Sequence, residues 1–164
     1  MLSHTDKKGR ARMVDVGSKE ETERVAVAAC TVSMSKNAIS SIMKNENVKG
    51  DVLTVAKLAG IMAAKRTGEM IPLAHTIKLT NVEVEFTIKE EEKEIDIRST
   101  VKSYGKTGVE MEALTAAASS ALTLYDMCKA VDRSMVISNL RLLEKKGGKS
   151  GHWVRAGARK RSKK

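Results

Sequence analysis

Val82-Glu-Val-Glu-Phe-Thr-Ile88 and Ile95-Asp-Ile-Arg-Ser-Thr-Val101 alternate apolar and polar residues, joined by the charged turn Lys89–Glu94. This period of two predicts a hairpin of half-buried strands with one face toward a core. Immediately after it, Gly105-Lys-Thr-Gly-Val-Glu-Met-Glu112 reads as a glycine-rich turn launching a helix. Glu110 and Glu112 suit the positive end of that helix's dipole. Near the far end, Asp126 opposes the dipole and therefore calls for another purpose. Its spacing of three from Lys129 puts both side chains on one face.

Upstream, Thr22–Met34 is apolar on both alternations and reads as a strand covered on both faces. Lys36–Met43 fits a short helix. From Asp51 a second helix follows with Val52, Val55, Ala56, Ala59, Met62 and Ala63 at helical spacing, and Gly68 is placed to end it. Met70–His75 is a loop with the chain's single proline. Val136, Ser138, Leu140 and Leu142 alternate again. The order strand, helix, helix, strand, strand, helix, strand predicts an α+β fold, ferredoxin-like, with a mainly antiparallel sheet and helices on one face. The six small residues Ala116–Ala121 allow close approach to a neighbour, and contact with a partner subunit is one use of them.

The chain has 164 residues and a formal charge of +10. Residues 1–12 carry a net +3 and residues 155–164 a net +6, leaving +1 for residues 13–154. This divides the chain into a flexible basic N-terminal tail (1–12), a single α+β domain (13–154) and a basic C-terminal tail (155–164). With aromatics at 2%, there is little for bases to stack on, so no specific nucleic-acid partner is expected. No apolar run reaches the roughly 18 residues of a membrane span. No secretory leader is visible, and Cys30 and Cys128 fit reduced core thiols, so a cytoplasmic location is expected.

Gly105-Lys-Thr-Gly108 and Gly148-Lys-Ser-Gly151 contain the end of a Walker A pattern, but Thr100 and Leu143 stand where its first glycine is required. The first copy still precedes a helix, where amides can face an anion. Asp51 is a natural N-cap, and Lys49 before it has no evident structural purpose. His75, among apolar neighbours, is a candidate for proton transfer. No spacing of Cys or His suggests a metal site. Glu112 and Asp126 are 14 residues apart, roughly 21 Å along a continuous helix. Either only one end is functional, or two copies contribute opposite helix ends to one pocket, and the small-residue helix face favours the second.

Several ordered blocks resemble the cyclic pyranopterin monophosphate synthase family of molybdenum cofactor biosynthesis. They are Met13-Val-Asp-Val16, Lys49-Gly-Asp51, Ala63-Ala-Lys-Arg-Thr67, Gly105–Thr115, Tyr125-Asp-Met-Cys-Lys-Ala-Val131 and Gly147-Gly-Lys-Ser-Gly151. The resemblance implies a lyase that converts 3′,8-cyclo-7,8-dihydroguanosine 5′-triphosphate to cyclic pyranopterin monophosphate and pyrophosphate. It implies Asp126, Lys129 and Lys49 as catalytic residues. Leu73, Ala74, His75, Met111, Glu112 and Arg24 are implied substrate contacts. It also implies a homohexamer, a trimer of dimers with pockets between subunits. No tightly bound cofactor is expected, and any divalent ion would come with the triphosphate. Family members commonly read Pro-Leu-Cys-His-Pro where this chain has Pro72-Leu-Ala-His-Thr76, a departure that removes one fixed φ beside the histidine.

Overall fold

The computed structural model describes residues 8–44, 50–149 and 151–158. The elements in chain order are β1 (Thr22–Ser33), α1 (Lys36–Met43), α2 (Val52–Lys65), α3 (Thr67–Met70), β2 (Leu79–Lys89), β3 (Glu94–Gly105), α4 (Glu110–Cys128), β4 (Val136–Lys146) and β5 (His152–Val154). The strands form one antiparallel sheet in the order β2-β3-β1-β4-β5. The first four strands have the ferredoxin-like arrangement, in which two helical crossovers lie on one face. No helix among the described residues is long and apolar enough to cross a membrane.

Alternation along β3 puts Ile95, Ile97, Ser99 and Val101 in the core, opposite Ala26, Ala28, Cys30 and Val32 of β1. Against this floor lies α4, close enough for Ser99 Oγ to donate to the Ala113 carbonyl at 2.6 Å and Cys30 Sγ to the Ala117 carbonyl at 3.3 Å. Such contacts need small side chains. Within Ala116–Ala121, Ala116, Ala117, Ser120 and Ala121 are buried in the protomer, so these four serve the chain's own packing rather than an outer surface. Gly60 of α2 completes the arrangement: a Cβ there would overlap Ser120 Oγ and lie 2.9 Å from the Ala116 carbonyl. Both cysteines are buried and outside any disulfide.

The other face of β1 is covered too. Val27, Ala29 and Leu143 form a small cluster against which Ala158 packs. Residues 155–158 are held there by bonds from Arg155 N and Nε to the Leu143 and Leu142 carbonyls, at 2.8 and 2.7 Å.

Three local expectations change. Gly68 does not terminate α2; Arg66 is the C-cap and Gly68 lies inside the four-residue α3. Its missing side chain allows close approach, since a Cβ would meet Thr76 Oγ1 at 3.1 Å. In β4 the simple alternation fails. Asn139 has φ +55 and the register against β1 shifts nearby, so Ile137 and Leu142 pack on the core while Val136 and Leu140 are exposed. A bulge turns the strand over in this way. The third change is β5, three exposed residues whose length gives no periodic signal.

Candidate functional site

One large cavity, about 1310 Å³, opens where the ends of β1, β3 and β4 meet the start of α4. Thr22 and Arg24 enter from β1, and the segment 71–77 forms a side wall with Leu73, Ala74 and His75. Lys106–Gly108 and the first turn of α4, with Met111 and Glu112, form another. The end of β4 and its turn close it with Lys145–Lys149, and Val14–Glu20 crosses its rim. Six cations line it (Lys19, Arg24, Lys106, Lys145, Lys146, Lys149) against three carboxylates (Glu20, Glu110, Glu112). That balance favours an anionic ligand.

Arg24 is only 8% exposed. Its Nε donates to the Gly105 carbonyl at 3.0 Å, and among the described residues no carboxylate pairs with it. Gly147 and Gly148, at φ +106 and +71, bring the β4 turn against this side chain. A Cβ on Gly148 would overlap the guanidinium. Glycine is therefore required twice over at residue 148, by its conformation and by its neighbour.

Glu112, 3% exposed, has its carboxyl pushed up to about 7 by burial, opposed by its own backbone N–H and raised further by Glu110. Near neutral pH it is poised to hold or release a proton. Glu110 instead pairs with Lys145 at 2.6 Å, folding back over Gly108, where a Cβ would overlap its carboxylate. His75 Nε2 lies 2.9 Å from the Val14 carbonyl. A carbonyl only accepts, so Nε2 carries the proton, and in the neutral ring Nδ1 is the basic atom. Lys106 Nζ donates to the Gly17 carbonyl at 2.6 Å, tying the rim segment at a second point. Thr22 and Thr107 line the cavity too, and their hydroxyl oxygens are buried with no hydrogen-bond partner among the described residues.

Of the residues singled out from sequence, Arg24, Leu73, Ala74, His75, Met111 and Glu112 all line this cavity. Asp126 and Lys129 do not. They form an ion pair at 2.7 Å at the opposite end of α4, each more than half exposed. The helix is unbroken from Glu110 to Cys128, so the roughly 21 Å from Glu112 to Asp126 holds within one protomer. The Lys129 region is firmly attached: Asp132 accepts from Ser35 N at 2.6 Å and from Ser134 Oγ and N at 2.6 and 2.8 Å. These bonds, Ser134's first, lower the Asp132 carboxyl below its usual range. Lys49 lies outside the described residues.

Reading the sequence missed Lys106, Lys145 and Lys146 as cavity residues. Their signal was the adjoining glycines, Gly105 and the Gly147-Gly148 pair, which mark where backbone turns inward. Among the described residues no group of three or more His, Cys, Asp or Glu is placed to hold a metal ion.

Known proteins of similar sequence share one family and one name. Residues 13–148 match the MoaC family. The cyclic pyranopterin monophosphate synthase of Heliobacterium modesticaldum is 56% identical over 154 residues, covering 94% of this chain and 97% of that protein. Proteins of the same name from Peptoclostridium acidaminophilum and Thermoanaerobacter sp. (strain X514) are 52% and 53% identical. Each match covers 94% of this chain, with 97% and 98% of the relative. With the profile and near full-length identity in agreement, the chain belongs to the MoaC family.

Proposed function

We propose that this protein is a cyclic pyranopterin monophosphate synthase, a lyase of molybdenum cofactor biosynthesis. It rearranges 3′,8-cyclo-7,8-dihydroguanosine 5′-triphosphate to cyclic pyranopterin monophosphate and releases pyrophosphate. The observation that carries the reading is the cation-lined cavity, which gathers six of the residues implied by the family resemblance, in a chain 56% identical to a relative of that name.

The chemistry follows from the side chains. Opening and rebuilding a purine ring needs repeated proton transfers, and departure of pyrophosphate builds negative charge. Glu112, holding its proton near neutrality, and His75, basic at Nδ1, hydrogen-bond and orient the heterocycle. Arg24 and the cavity lysines stabilise the phosphates. Lys49 and Lys129 act as general acids or bases, with Lys129 oriented by its ion pair with Asp126. Because Asp126 and Lys129 lie a helix length from the cavity, a second copy supplies them, in a homohexamer built as a trimer of dimers. We place any divalent ion on the triphosphate of the substrate, since hard cations of that kind are commonly held by phosphate oxygens and water.

The test is a product assay. Purified protein given the cyclised nucleotide should release pyrophosphate and form the pterin; absence of both products would end the reading.

A further inference from the structure

Residues 12–20 lie in no helix or strand, yet one side of this segment is a wall of the cavity. Val14 and Val16 are half-buried and line it, while Met13, Asp15 and Gly17 are exposed. That alternation is what an extended segment shows when it is laid across an opening. Upstream, Ala11 makes an isolated bridge; downstream the segment turns and runs into β1. In the turn Lys19 N donates to the Val16 carbonyl at 3.1 Å and Gly17 N to Asp15 Oδ1 at 2.8 Å. These bonds are internal, so they shape the segment without fastening it to the domain. Two side chains from elsewhere in the fold do that. His75 Nε2 donates to the Val14 carbonyl at 2.9 Å, and Lys106 Nζ to the Gly17 carbonyl at 2.6 Å. Both ties run to the segment's own backbone, so both break when it lifts. Held by such ties and two half-buried valines, the segment belongs to the low-stability end of the fold and opens without global unfolding.

We propose that residues 13–20 are a strap over the cavity, latched by Lys106, and that closing it sets the proton position on His75. Lifting the strap removes a cavity wall and, in the same movement, takes away the carbonyl that keeps the proton on Nε2. Access for a ligand and the readiness of His75 are thereby coupled: the ring is held in one tautomer when the strap is down. Lys106 is a positioning residue in this device. It touches Gly17 and acts on His75 through the short run of backbone back to Val14. An ammonium suits the task, because its charge strengthens a bond to a neutral carbonyl. The inference rests on the proposed function only in treating His75 as a group that meets the ligand.

Because Lys106 also lines the cavity, lost turnover in its variants would not isolate the latch, so the test is read on the ligand-free full chain. A protease that cuts before aspartate attacks the Val14–Asp15 bond, in the middle of the strap, at a rate that follows the open population. Lys106→Met should speed this cut about tenfold at an unchanged thermal midpoint, as expected for loss of a hydrogen bond from a charged group. Lys106→Arg, which can still donate, should stay near the parent. Val16→Ser loosens the strap without touching a cation and should also speed the cut. In both loosened variants the His75 Nε2 proton, followed by nitrogen-15 NMR, should exchange with water faster by a similar factor. Parental cleavage in Lys106→Met overturns the latch, as does faster cleavage that tracks a fall in the thermal midpoint and that arginine does not restore. Faster cleavage with an unchanged His75 proton overturns the coupling to the ring. A strap that passes these tests in a protein making no pterin would stand while the enzymatic reading fell, and pterin formation with an indifferent strap would do the reverse.

Discussion

Gly148 lies so close to Arg24 that a methyl group on it would occupy the position of the guanidinium. The turn after β4 and the start of β1 are thus fitted to each other at the cavity wall. Gly148→Ala should displace Arg24 and force an alanine into φ +71, destabilising the fold by about 1–3 kcal/mol. Pyrophosphate affinity should fall in the same variant. Chemical denaturation and calorimetry check both, and an alanine variant with parental affinity would mean that Arg24 does not hold the anion.

Glu112 makes stability depend on pH in a direction opposite to most carboxylates. Its folded value is raised to about 7 from the usual 4.5, so the folded state keeps a proton that the unfolded chain has lost. The stabilisation from this group is complete below about pH 4.5 and disappears as pH rises through 7. Relative to Glu112→Gln, the parent should lose up to about 3 kcal/mol between those limits. Urea unfolding of both proteins at pH 4.5, 6 and 8 measures it; a difference that does not change with pH would show that the carboxyl is not held protonated.

The α2–α4 seam should be sensitive to a single methyl group. Gly60→Ala would overlap Ser120 Oγ and crowd the Ala116 carbonyl, and it would strain the 3.0 Å bond from Ser120 Oγ to the Ala56 carbonyl. Overpacking of this kind costs about 1–3 kcal/mol. Pairing with Ser120→Ala should recover part of the loss, because the clashing hydroxyl is gone. A double variant no more stable than Gly60→Ala would place the strain elsewhere.

Asp126 and Lys129 test the sharing of sites between copies. Their ion pair is exposed, so Lys129→Ala should change stability by less than about 1 kcal/mol while removing most turnover. Arg24→Ala fails at the other end. Co-refolded as an equal mixture, two such inactive variants should regain roughly a quarter of parental activity, because half of randomly formed two-fold pairs carry one intact site of two. No recovery on mixing would put both ends' functions in a single protomer.

The hairpin β2–β3 and the long helix α4 were readable from sequence because local periodicity and burial agree there. Val84, Ile95, Ile97 and Val101 alternate, and they are buried in that alternation. β4 was misphased because Asn139 adopts a left-handed conformation that no hydropathy pattern reveals. Gly68 was assigned to the wrong task because a glycine required by a neighbour looks the same as one required by its own φ. For the cavity, residues within contiguous blocks, such as Leu73–His75 and Met111–Glu112, were legible through the family resemblance. The proton position on His75 was not, because it depends on a carbonyl 61 residues away. The unpartnered hydroxyls of Thr22 and Thr107 were equally hidden, since an unmet hydrogen bond exists only once the chain has folded around it.

Cys30 bridges β1 to α4 through its bond to Ala117, and burial holds its thiol up at about 12. An un-ionised sulfur inside that seam is a poor nucleophile, whatever the reagent outside. Alkylation of Cys30 must therefore wait for α4 to lift from the sheet, and its rate times the opening. The chain carries a built-in reporter of the motion that would dismantle its own cavity.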